Sequence, residues 1–137
     1  MDGFSDQNWR RELPAKTGTI QTLLLESRFA LPEDYLRFLK LSNGGEGELG
    51  VEPGWFVLWL AETVIENNDG YEVHKWIPGF FGFGSNGGGE LLAFDTRTAQ
   101  PWKIYMIPFI PMEETEAILV AESFADFIKV IGQVMPN

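Results

Sequence analysis

The residues of this chain best suited to chemistry are carboxylates. Glu113, Glu114 and Glu116 form one cluster, and Glu46 and Glu48 form another. Paired carboxylates can share general acid and base roles or hold a hard cation. A calcium loop needs a denser run of Asp and Asn than either cluster has, so both read as solvated loops. His74 is the single histidine and there is no cysteine. Zinc centres normally draw several ligands from those two residue types, so a zinc site is not expected. No Gly-x-Ser-x-Gly elbow leads into a helix, which leaves His74 without a matching nucleophile. It reads as a partly exposed side chain beside Trp76. Gly82-Phe83-Gly84-Ser85-Asn86-Gly87 matches a dinucleotide fingerprint by letters alone. That fingerprint needs a helix after it, whereas Glu90 to Phe94 has the pattern of a strand. The glycines therefore predict a tight connection or a bulge between two strands. No catalytic set, metal or cofactor is expected.

Charge carries the next signal. The net charge is -10, yet residues 1–40 are neutral, with six acids and six bases. The whole excess lies in residues 41–137, with fourteen acids against four bases. Between Leu41 and His74 there are seven acids and no Lys or Arg. A field of this sign repels phosphate backbones and argues against direct nucleic-acid binding. Two readings stay open: an ordinary soluble acidic surface, or steering of a basic protein partner. On the second, the candidate partner-binding residues are Glu46, Glu48, Glu52, Glu66, Asp69, Glu72, Trp76 and Glu90. Tryptophan is also a common interface anchor, and the chain has five. Trp55, Trp59, Trp76 and Trp102 are expected near one another. Of Trp55 and Trp59, one is expected in the core and the other partly exposed.

The elements that must position these residues follow from periodicity. A helix is expected from Lys16 to Arg28, with Ile20, Leu23, Leu24 and Leu25 inward. A second is expected over residues 32–42. Pro32 suits its first turn, Glu33 and Asp34 its positive end, and Asn43-Gly44-Gly45 its close. Trp55 to Leu60 reads as a strand buried on both faces, and Ala61 to Asn68 as a short helix. Strands are expected at 90–94, 103–107 and 115–121. Ser123 and Asp126 resemble a capping box for a last helix, on which Phe124, Phe127, Ile128, Ile131 and Val134 recur at helical spacing. Trp9 and Leu13 are expected to pack down an N-terminal arm. The core list is Leu23, Leu24, Leu36, Leu39, Val57, Leu92, Phe94, Ile104, Phe124, Phe127 and Ile131. Strands enclosed by terminal helices predict an α+β fold: one domain, with a mostly antiparallel sheet packed against N- and C-terminal helices. No apolar run approaches the roughly 18 residues of a membrane span. With no basic and apolar leader at the start and no cysteine, a cytoplasmic location is expected.

The ordered set of motifs resembles one family. Leu31-Pro32, Leu36, Phe38-Leu39 and Asn43-Gly44-Gly45 look like the helix and glycine turn of the SUKH superfamily, the Smi/Knr-type domain. The aromatic strand at 55–60, Glu62 with Ile65, the Pro78 turn into Phe83-Gly84, and the strand from Gly88-Gly89 to Asp95 follow in the family's order. Val120-Ala121, Ser123-Phe124 and Phe127-Ile128 complete it. The resemblance covers residues 17–133 and divides the chain into an arm at 1–16 and a SUKH-like domain at 17–137. Ser85-Asn86-Gly87 makes the glycine region longer than a minimal version. The resemblance implies an α+β domain without enzymatic activity. In bacteria it implies an immunity protein that binds and neutralises a cognate toxin, often a nuclease of a polymorphic or contact-dependent system. The alternatives are a regulatory or scaffold module, as in fungal cell-wall control, or a small hydrolase using Glu113 to Glu116 or His74.

Overall fold

Local signals and tertiary packing agree best at the helices. The computed structural model of the chain describes residues 8–136; the start of the expected arm lies outside them. Helix α1 is Thr17–Ser27 and buries Ile20, Leu23 and Ser27. Leu24 packs half-buried beside them, but Leu25 is 81% exposed, against expectation. Each residue turns about 100° on a helix, so Leu25 stands opposite the Leu23 stripe. Helix α2 is Glu33–Leu41 and buries Tyr35, Phe38 and Leu39. Pro32 caps it from just outside, and Leu36, expected in the core, is only partly buried at its edge.

Seven strands form one sheet in chain order, every neighbour antiparallel. They are β1 Trp9–Arg11, β2 Gly45–Glu48, β3 Trp55–Leu58, β4 Phe80–Ser85, β5 Glu90–Asp95, β6 Ile104–Pro108 and β7 Ile118–Ala121. The last strand starts later than expected because Glu114–Glu116 turns into a 3-10 helix. Strands β1 and β2 were not expected at all. β2 is Gly-Glu-Gly-Glu, with no β-branched or aromatic residue to signal a strand. Its glycines answer to Trp9: a Cβ on Gly45 would lie 2.9 Å from the Trp9 ring, and one on Gly47 would collide with the Trp9 backbone. Trp9 is buried as expected, whereas Leu13 is 85% exposed.

After β3 the chain leaves the sheet through a 3-10 turn, Ala61–Thr63, then α3 (Val64–Gly70) and α4 (Val73–Trp76). Consequently β3 pairs with β4 only at Val57–Ser85 and Leu58–Gly84. Farther along β4, the side-chain amide of Asn68 takes the missing strand's place. Its Nδ2 donates to Gly82 O and its Oδ1 accepts from the Gly82 N–H, each at 2.8 Å. The expected bulge sits here too: Gly82 faces Ala93 and Gly84 faces Leu92, which leaves Phe83 as the extra residue.

Helix α5 is Phe124–Val130, and the Ser123 hydroxyl accepts from the Asp126 N–H at 3.1 Å. Ile131 is buried, but in extended backbone that bridges to Leu49. The helical spacing therefore stops short of Val134, which is exposed. Helices α1, α2 and α5 pack on one face of the sheet. Phe56, Leu58, Phe81, Phe83, Leu92, Phe94, Ile104 and Met106 meet Tyr35, Phe38, Phe124 and Phe127 there. On the other face a smaller cluster joins Val73 and Ile77 to Phe80, Leu91, Ala93, Ile107 and Met112. The chain is a single α+β domain, as its periodicities predicted.

Candidate interaction surface

Register places the first candidate residues together. Glu46 lies opposite Val57, Glu48 opposite Trp55, and Val57 opposite Ser85. Phe56 and Leu58 point to the helices, so Trp55 and Val57 point away from them. β3 is thus fully covered on one face only. Val57, expected in the core, is half-buried, and Trp55 is 39% exposed. Two carboxylates therefore flank a partly exposed indole and valine.

The glycine turn supports that indole. Asn86 Oδ1 accepts from the N–H groups of Gly88 and Glu90, and Asn86 Nδ2 donates to Glu90 Oε1 at 2.9 Å. The turn brings Gly87, at φ 78, against Trp55, where a Cβ would stand 3.1 Å from the indole. Only glycine combines this left-handed backbone with so close an approach. Glu90 thereby serves its own turn.

Farther along the same face runs an aromatic row. Trp59 stacks on Tyr71 at 6.1 Å, and Tyr71 meets Phe109 at 4.4 Å. Phe109 and Trp76 line a shallow apolar pocket of about 270 Å³ with Ile110, Pro111, Met112 and Glu113. Trp76 is exposed, with the Lys75 ammonium 5.0 Å above its ring. The grouping of tryptophans differs from expectation. Trp55 and Trp59 are both partly exposed. Trp102 is buried on the helix side against Phe29 and Phe94. Tyr71 and Phe109 were missed because they sit in irregular segments, where periodicity is silent.

The acids divide by what they touch. Glu46 pairs with Arg10 at 2.7 Å, and Glu72 pairs with Lys75 at 3.6 Å. Glu48, Glu52, Glu66 and Asp69 have no ion pair among the described residues. Asp69 opens, with His74, Glu26 and Arg28, onto a cleft of about 580 Å³ between the end of α1 and α3. His74 forms no hydrogen bond to a carboxylate among the described residues.

Polar residues of the motifs quoted above turn out to be structural. Buried Asn43 accepts from the Ala61 N–H and donates to Glu62 Oε1, both at 2.7 Å, so it ties the end of α2 to the turn after β3. Asp95 accepts from Arg97 through its backbone N–H, Nε and Nη2, at 2.9–3.0 Å. The guanidinium holds the Asp95 carboxyl below its ordinary range, against the opposing effect of burial. It also stands 4.8 Å over the Phe80 ring and 3.4 Å from Glu114. Glu114 is thus engaged in an ion pair, and Glu113 lies in the Trp76 pocket. Among the described residues, no group of three or more His, Asp or Glu side chains could hold a metal ion. No helix among them is long and apolar enough to cross a membrane.

Residues 14–130 match the model of the SMI1 / KNR4 family (SUKH-1). No curated protein matches the chain. The match spans the helix and glycine turn closed by Asn43, the split between β3 and β4, and helix α5, and the chain belongs to the SMI1 / KNR4 (SUKH-1) family.

Proposed function

We propose that this chain is a protein-binding domain without catalysis of its own, and that it is an immunity protein for a basic, nuclease-type toxin. One observation carries the reading. Trp55 and Val57 lie partly exposed on a sheet face whose adjoining strand presents Glu46 and Glu48. An apolar centre with an aromatic anchor and a charged rim is the usual anatomy of a protein interface. Glu52, Glu66, Asp69 and Glu72 complete the acidic set of the proposal, and Trp76 on α4 adds a second exposed ring. Glu46 and Glu72 contribute less free charge, because Arg10 and Lys75 pair with them, and the Asn86 amide holds Glu90 to its own turn. Membership of the family supports a protein partner. A cytoplasmic site of action belongs to the same proposal.

The test uses a toxin domain encoded beside this gene. Co-expression with the chain should rescue growth, and the purified pair should associate more slowly as salt rises, since added ions shorten the Debye length. Glu48→Lys with Glu52→Lys should slow association, whereas Trp55→Ala should speed dissociation. Absence of rescue, or association indifferent to both salt and the double substitution, would overturn the reading.

A further inference from the structure

Among the described residues the sheet ends in two unlike edges. At one end β1 has three residues, of which Arg10 and Arg11 are exposed. A short, charged edge discourages pairing with another chain. At the other end β7 reads Ile118-Leu119-Val120-Ala121 and, among the described residues, pairs with β6 alone. Ile118 is 51% exposed and Leu119 45%. They stand opposite Met106 and Tyr105, which point to opposite faces of the sheet. A strand laid along β7 would therefore cover one of them on each face. No Pro, Lys or Arg interrupts residues 112–128, although β7 has only four residues and its pairing with β6 carries a register shift between Ile104 and Tyr105.

Its flanks are acidic instead. Glu113, Glu114 and Glu116 precede β7 and Glu122 follows it. Arg97 engages Glu114 at 3.4 Å and Lys103 engages Glu122 at 3.8 Å, and no ion pair involves Glu113 or Glu116 among the described residues. Antiparallel pairing of two copies would set these acids against one another, in a chain of net charge -10. The same acids attract a strand with cations at its ends.

We propose that the β7 edge takes an extended strand of a partner protein, alternating apolar residues with polar ones and carrying Lys or Arg at its ends. Backbone hydrogen bonds would supply binding, Ile118 and Leu119 the apolar contact, and Glu113 and Glu116 the choice of sign. This surface lies at the far end of the sheet from Glu48 and Trp55, and the inference does not depend on the partner proposed for them.

Synthetic peptides test it. The probe alternates valine and threonine between two lysines at each end. One control has glutamates at the ends; another has prolines within the core and keeps the lysines. Titration followed by NMR should shift and protect the amides of residues 118–121 with the lysine peptide. Binding should weaken about tenfold or more with either control. It should weaken similarly with Ile118→Lys and Leu119→Lys, two exposed sites whose substitution should leave the circular dichroism spectrum unchanged. The Glu48→Lys and Glu52→Lys variant should bind the peptide unchanged, which separates this surface from the one proposed above. Equal binding of the proline peptide, shifts centred on β2 and β3, or self-association through residues 118–121 would each overturn the proposal.

Discussion

The two faces of the sheet are covered to different depths. On the helix side, rings close on one another: Phe83 stacks on Phe94 at 4.3 Å, and Phe124 meets Tyr35 edge-on at 5.3 Å. Phe38, Phe56, Phe83, Phe94 and Phe127 are fully buried there. The opposite face is covered only in part, where α4 and the 109–112 segment pack over β4 to β6. Across β2 and β3 nothing among the described residues shields Trp55 or Val57 to the same degree. Aromatic residues thus serve two ends in this chain. Those on the helix side hold the fold, whereas the open side leaves Trp55 and Trp76 exposed beside a smaller cluster around Phe80. On the function proposed above, mutations of the buried rings act through stability and mutations of these exposed rings act through binding.

Phe127→Ala should break the first face most severely. The ring is fully buried and contacts Phe56, Phe83 and Phe124. Truncation loses its transfer energy and leaves a cavity that rigid neighbouring rings fill poorly, for a cost of about 3–5 kcal/mol. Urea denaturation should show a lower midpoint with an unchanged slope. A cost under about 1 kcal/mol would mean that the helix-side core is looser than its contacts indicate.

This asymmetry also explains what could be read in advance. Phe124, Phe127 and Ile128 repeat at helical spacing behind a Ser123 cap, and both signals arise within a few residues. Helix α2 was legible for the same reason. β2 was not, because Gly45 and Gly47 are chosen by Trp9, which approaches from about forty residues away in sequence. Val57 was misplaced because an apolar strand looks alike whether one face or both are covered. Acids at Glu48 and Glu52 were visible as composition, but the facing of Glu48 with Trp55 needed the register. Asn68 could not be foreseen as a strand substitute, since its role depends on where β3 leaves the sheet.

A smaller effect is expected at the edge of the second face, and it depends on pH. Asp95 has a lowered pKa, first because Arg97 hydrogen-bonds its carboxylate. The folded state therefore releases this proton more readily than the unfolded chain does. The pair's contribution is present above the ordinary carboxylate pKa near about 4 and disappears as pH falls through the lower, folded value. Arg97 is about half exposed, so solvent screening limits the gain. Asp95→Asn should cost stability at neutral pH and flatten the acid limb of a stability profile. If both proteins lose stability in parallel on acidification, the clamp over Phe80 contributes nothing that depends on charge.

The smallest effect, and one of opposite sign, belongs to Tyr35. Its ring lies within the helix-side aromatic cluster, in contact with Phe83, Phe94 and Phe124. Its hydroxyl is buried and has no hydrogen-bond partner among the described residues. Burial raises its pKa far above the ordinary tyrosine range, so the group stays neutral. A neutral hydroxyl without a partner still gives up its water bonds on folding, a loss of about 1–3 kcal/mol when nothing replaces them. Tyr35→Phe removes the hydroxyl and keeps the ring contacts. The void left is about one oxygen atom, which offsets part of the gain through lost dispersion contacts. Stability should therefore stay level or rise by up to about 1 kcal/mol, measured by urea denaturation at neutral pH. A loss larger than that would show that the hydroxyl is bonded in the folded chain. It would also mean that the helix-side face is held in part by a polar contact, which would narrow its difference from the open face.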